Sequence, residues 1–264
     1  METFRTYVLI FCAALLVAGC DSDSTTGPQL TSPGCIPAYS IWLGVADFTM
    51  VHGLCESALI RRMTPDNAWV DQHITTANFC ITEDKAASAE YISVNNVQLD
   101  GDSSLYLSID PIPQRDYHVW SFGGGDLPEV HDSVKATKEF TITSPRHLQD
   151  TISKAQGLRI KYDPTGTESV QVYIAYDPDL SREYDPTIKD STFTASFPVT
   201  VASTGNSLFT PAIFGGSQFY TAFPKRGIAS LYVIAYRNKS VFINGKVYVL
   251  RVGERCESKF FFKP

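Results

Sequence analysis

The strongest constraint on the fold is a period of two that recurs along the chain from Glu90 onward. In the run Val170-Gln171-Val172-Tyr173-Ile174-Ala175-Tyr176, the residues Val170, Val172, Ile174 and Tyr176 face one way and Gln171, Tyr173 and Ala175 the other. Leu105, Leu107 and Ile109 alternate in the same manner with Tyr106 and Ser108. Alternation of this kind marks a strand with one buried face. Strands are further expected at Tyr91–Val94, Val97–Leu99, Tyr117–Phe122, Glu139–Thr143, Leu158–Tyr162, Thr192–Phe197 and Val199–Val201. Four more follow at Phe219–Phe223, Leu231–Tyr236, Val247–Val252 and Lys259–Phe262. Turn residues punctuate them: Asn95-Asn96, Asp100-Gly101-Asp102-Ser103, and Asn244-Gly245 between Ile243 and Lys246, the strongest hairpin signal in the chain.

Many short strands without a sustained helical period predict a mainly β protein, an antiparallel β-sandwich of Ig-like architecture over residues 127–264. The Trp–disulfide signature of true immunoglobulin domains is absent, so the term describes layers only. The run Gly123-Gly124-Gly125-Asp126 offers a boundary, leaving a loop-rich N-terminal β region over residues 35–126. There the pattern is poorer: Ile41–Val45 reads as a short strand and Glu56–Met63 as a helical turn or two. After Ser144-Pro145, the residues Leu148, Ile152 and Ala155 share a helical face, yet Thr151-Ile152-Ser153 also fits a strand, and its β neighbours favour the strand.

Residues 1–34 are of another kind. Arg5 and the terminal amine precede an apolar run from Tyr7 to Leu15, then Leu16-Val17-Ala18-Gly19-Cys20, then Asp21-Ser22-Asp23-Ser24. The apolar run is about half the length that crosses a bilayer as a helix. A short apolar run ending in small residues reads as a secretory signal. With its terminal Cys20 it resembles the lipobox of bacterial lipoproteins. That resemblance implies removal of residues 1–19, acylation of Cys20 (palmitate among the chains) and a mature chain of 245 residues. Several acyl chains together anchor a protein stably. Residues 20–34, rich in Ser, Thr, Asp, Gly and Pro, then form a flexible tether. The expected location is the bacterial cell envelope, lipid-anchored and extracytoplasmic, on the periplasmic or surface side.

On that processing, Cys12 leaves with the signal and Cys20 takes lipid, so Cys35, Cys55, Cys80 and Cys256 remain as disulfide candidates in an oxidising compartment. Three pairings are open. If two bridges form, any of the three joins Cys256 to a cysteine at or before position 80. Wide spacing without a CxxC argues against a structural zinc site.

The net charge is −6 with no basic cluster, which excludes a nucleic-acid surface. The five histidines His52, His73, His118, His131 and His147 are scattered, without an HExxH. No G-x-S-x-G elbow occurs, and Gly123-Gly124-Gly125 lacks the Lys-Ser/Thr of a phosphate loop. Acids gather at Asp177, Asp179 and Asp185, an oxygen-rich stretch of the kind calcium uses, although Arg182 sits among them and solvated loop acids are the simpler reading. No other cofactor is expected. Trp42, Trp69, Trp120 and Tyr117 are candidates for a sugar-stacking platform, against the ordinary use of strand aromatics as core. The functional expectation is a non-catalytic binding or interaction module, meeting an envelope protein or a glycan. Its alternatives are a glycan-active hydrolase, whose two carboxylates would converge from distant strands, and a structural accessory subunit of an envelope assembly. A groove with facing carboxylates favours the hydrolase; an exposed aromatic or edge strand favours the binding or accessory roles.

Overall fold

A computed structural model describes residues 34–264 apart from 39, 41, 46–48, 65, 67, 83, 103–104, 113–115 and 216–220. The signal segment, Cys20, the tether up to residue 33 and parts of the strands expected at Ile41–Val45 and Phe219–Phe223 lie outside the described residues. In chain order the strands are β1 (Ile36–Pro37), β2 (Met50–Val51), β3 (Gly53–Met63), β4 (Trp69–Thr82), β5 (Lys85–Ala86), β6 (Tyr91–Val94), β7 (Val97–Gln98), β8 (Asp100–Asp102) and β9 (Leu105–Ser108). They continue with β10 (Tyr117–Gly124), β11 (Leu127–Lys135), β12 (Ile142–Ser144), β13 (Thr151–Ser153), β14 (Leu158–Tyr162) and β15 (Ser169–Tyr176). A short helix α1 (Pro178–Tyr184) precedes β16 (Val199–Ala202), β17 (Asn206–Phe209), β18 (Gly227–Ile243) and β19 (Lys246–Lys263). The protein is mainly β.

The hairpin of β18 and β19 is the spine. Its strands stay in register from Gly227↔Phe262 to Ile243↔Lys246. The turn places Asn244 at φ 52° and Gly245 at φ 73°, the left-handed pair that an Asn-Gly hairpin supplies. Around it the main sheet runs β16-β15-β18-β19-β3-β4-β9-β8. It is mixed rather than purely antiparallel: β3 lies parallel to β19 from Tyr248↔Gly53 to Glu257↔Arg62, and β13 is parallel to its C-terminal end. Separate sheets are formed by β11-β10-β6-β7, by β12-β14-β17 and by the pair β1-β2.

Because alternate residues face opposite sides, the register decides where each cluster lies. On one face, the front, β19 presents Tyr248, Leu250 and Val252, then Glu254, then Cys256, Phe260 and Phe262. The first three join Cys55, Ala77, Phe79, Trp120 and Phe122 in one core, which β10 and its sheet cover. The last three join Phe140, Leu158, Ile160, Val172, Ile174 and Leu231 in a second core, to which β12 and β14 contribute. One pair of strands thus serves two cores. Gly53 shows how tightly the first is closed, since a Cβ there would lie 2.5 Å from the Phe79 ring and 2.7 Å from that of Tyr248.

On the back face the segment Ala38–Val45 packs over the same strands. Leu43 and Val45 meet Ala58 and Ile234, and Ala38 meets Val51, Val247 and Val249. Cys35–Cys80 ties this segment to β4. Cys55 and Cys256 are buried free thiols, so the expected long-range bridge is absent. The geometry gives the reason: Cys55 stands beside Leu250 and Cys256 beside Arg61, an offset of about 20 Å along adjacent strands. Parallel pairing of β3 with β19 closes the chain instead.

Other sequence expectations change. Glu56–Met63 is part of strand β3, not a helical turn, because both edges of the segment are paired. The boundary after Asp126 falls in a hairpin turn, with β10 and β11 paired across it from Tyr117↔Lys135 to Gly124↔Leu127. Thr192–Phe197 contributes one bridge, Ala175↔Ala195, rather than a strand. Of Glu139–Thr143, only Ile142 and Thr143 enter β12. Thr151–Ser153 is the strand that its neighbours favoured.

Candidate functional site

The residues singled out in the sequence do not meet. Trp120 is fully buried in the first core, with its indole N–H unpartnered. Trp42 is half-buried against Leu43 and Val45, and Trp69 against the second core. No sugar platform joins the three indoles. Tyr117 is exposed at the start of β10, opposite Lys135 on the outer face of its sheet.

The acidic stretch is not an open loop. Asp177 is the N-cap of α1, where its Oδ1 accepts from Leu180 N–H at 3.0 Å and its Oδ2 pairs with Lys259 at 2.9 Å. Asp179 pairs with Arg182. Asp185 accepts from the Thr187 hydroxyl and pairs with Arg226 at 3.0 Å. Each carboxylate has its own partner, so the three do not converge as a cation's ligands would. An Asp before Pro at the first helical turn is a helix start, and that signal was present in the sequence. Among the described residues no three His, Cys, Asp or Glu side chains form a group that could hold a metal.

What does come together is a polar band on the front face, between the two cores. Register sets Ala235, Glu254, Leu59 and His73 side by side across β18, β19, β3 and β4. The neighbouring rows hold Val233, Cys256, Arg61 and Asp71, and Arg237, Val252, Ser57 and Thr75. Beyond β11, the chain crosses this band and is stitched to it. Arg61 donates to both oxygens of Asp71 at 2.8 Å, to Glu139 Oε2 at 2.9 Å and to the Phe140 carbonyl at 3.3 Å. Glu254 Oε1 accepts from Phe140 N–H at 3.1 Å and lies 3.4 Å from Arg61 Nη1.

These contacts divide the charges unevenly. Arg61 holds the Asp71 carboxyl below the usual range. Glu254 is 2% exposed, and burial pushes its carboxyl up to about 8, against the pull of Phe140 N–H and Arg61.

Beside the stitch, a half-open cleft of about 470 Å³ remains. Its floor is Ser57, Leu59 and His73, with Val252 and Glu254 alongside. His118 and Ile112 form one wall, and Thr137, Lys138 and Glu139 the other. Burial, with His73 adding to it, lowers the pKa of His118 to about 4, so its imidazole is neutral. Its Nδ1 is buried and has no hydrogen-bond partner among the described residues. The cleft thus presents imidazole, hydroxyl and carboxyl groups beside an apolar strip.

His73 and His118 are 45 residues apart, and no local spacing announces them. Glu254 did leave a trace: it is a charged residue on the inward parity of a strand, between Val252 and Cys256. No family model, curated protein or solved structure matches the chain.

Proposed function

We propose that this chain is a lipid-anchored extracytoplasmic module of the bacterial envelope, tethered through Cys20, that binds rather than transforms its ligand at the seam cleft. The observation that carries the binding role is the cleft itself, a concave, partly polar site between two cores. The anchoring rests on the sequence of residues 16–24. Within the body, the strands around the Phe140–Phe262 cluster are read as a sandwich of Ig-like architecture, with β12-β14-β17 as one layer.

Glycan hydrolysis is the second reading, favoured by one observation: Glu139 and Glu254 lie at the same cleft and contact the same guanidinium. Burial and commitment weigh against it. Glu254 is nearly inaccessible, with its Oε1 engaged by Phe140 N–H, and Glu139 is tied to Arg61.

Two experiments test the proposal. Cell fractionation is expected to move a Cys20→Ser variant out of the membrane fraction; retention there would overturn the anchor. A photo-crosslinking side chain at Thr137, on the cleft rim, is expected to capture a ligand or partner in intact cells. The same group at Leu208, which is 63% exposed on the edge strand β17, is expected to capture none. The reverse pattern would move the binding surface to the strand edge.

A further inference from the structure

We propose that the seam cleft takes a neutral, polyhydroxylated ligand, a saccharide, whose hydroxyls pair with His73, His118, Ser57 and Thr137 while its C–H edge lies on Leu59 and Ile112. This rests on the reading of the cleft as the ligand site. The argument is one of chemical matching around the lining. An anion requires a cation free to meet it. Arg61 is saturated by Asp71, Glu139 and the Phe140 carbonyl, and Lys138 is an exposed side chain at the rim. A cation requires free carboxylates. Glu139 is tied to Arg61, Glu254 is 2% exposed with its Oε1 engaged by Phe140 N–H, and Asp116 is exposed at the outer wall.

The Ser57 and Thr137 hydroxyls and the imidazoles of His73 and His118 line the cleft. A neutral imidazole offers one donor and one acceptor, and a serine or threonine hydroxyl offers both on a single atom. Sugar hydroxyls also donate and accept on one atom, so each lining group finds a partner whichever way its proton points. Leu59, Ile112 and Val252 supply the apolar strip that the C–H face of a sugar ring requires, and the half-open mouth leaves room for a chain to extend.

Imidazole resonances of the full protein provide the test. The probes are maltose, lactose, cellobiose, mannobiose and chitobiose, each at tens of millimolar, with inorganic phosphate and methylammonium as charged comparisons. At least one disaccharide is expected to shift the signals of His73 and His118 while leaving that of His131, on the outer face of the sheet against Ser121, unmoved. Ser57→Ala and Thr137→Ala are expected to weaken that disaccharide about tenfold, equal to about 1.4 kcal/mol, with His131 unchanged as the sign of a preserved fold. Shifts caused by phosphate or methylammonium and by no sugar would overturn the proposal, as would silence of both imidazoles with every probe. Either result leaves the crosslinking test of the binding module intact. Cleavage of a bound disaccharide would keep the ligand class and overturn the non-catalytic reading instead.

Discussion

Glu254 and His118 face the same cleft and titrate in opposite senses. Glu254 has a folded pKa of about 8 against an ordinary 4.5, so between those values the folded chain holds a proton that the unfolded chain releases. Stability from this group falls as pH rises through that window. His118 has a folded pKa of about 4 against 6.5, so in that window the unfolded chain holds the extra proton and stability rises with pH. The two slopes cancel between about 4.5 and 6.5 and leave a decline from 6.5 towards 8. Urea titrations across pH are expected to show that decline, and a Glu254→Gln variant to abolish it; a decline of equal steepness in the variant would show that another group causes it. On the opposite face, Glu56 and Arg251 are buried at 1% and 0% exposure, 3.5 Å apart, with the Ser40 hydroxyl donating to Glu56 and Asn238 Oδ1 accepting from Arg251. Glu56→Ala removes the buried carboxylate that faces this guanidinium, and a loss of about 3–5 kcal/mol is expected in the same denaturation assay.

At the scale of elements, the N-terminal segment is held by one covalent tie and two small apolar clusters. Cys35–Cys80 closes a separation of 45 residues, for which the chain-entropy model gives about 4 kcal/mol. Replacing both cysteines by Ala is expected to lower stability by about that amount and to speed hydrogen exchange first at positions 35 and 38, whose amides donate to the Val51 and Thr49 carbonyls beside the bridge. Uniform acceleration across all strands would show that the bridge supports the whole body instead. Elements with a strong local code were readable: the turns at Asn95-Asn96 and Asn244-Gly245, and strands β14 and β15; β9 kept its period of two but buries Tyr106 and Ser108 and exposes Leu105 and Leu107. The helix α1 is marked in the sequence only by its Asp177-Pro178 start, because seven residues are too few to show a helical period. Strand β3 was unreadable for a different reason. It is buried on both faces, by the first core on one side and by Leu43 and Val45 on the other, so its apolar and polar residues do not alternate.

Across the whole molecule, the long strands β18 and β19 bind two cores into one unit. Leu250 and Val252 belong to the first, Phe260 and Phe262 to the second, and the band around Arg61 and Glu254 lies between them. A single cooperative unfolding transition is therefore expected by calorimetry. Two resolved transitions would show that the cores melt independently. A fragment beginning at residue 127 is expected not to fold alone, since it deletes both β3 and the partner of β11. The sequence by itself determined the mainly β class, the hairpin turns and the lipoprotein-like leader on which the proposed location rests. These are local properties, written within a few consecutive residues. Only the tertiary structure decided which cysteines pair, that the chain's early and late strands run parallel, and that His73, His118 and Glu254 share one cleft. Those facts depend on register between strands far apart in the chain, and register is set by how two cores pack on one hairpin rather than by any neighbouring residues.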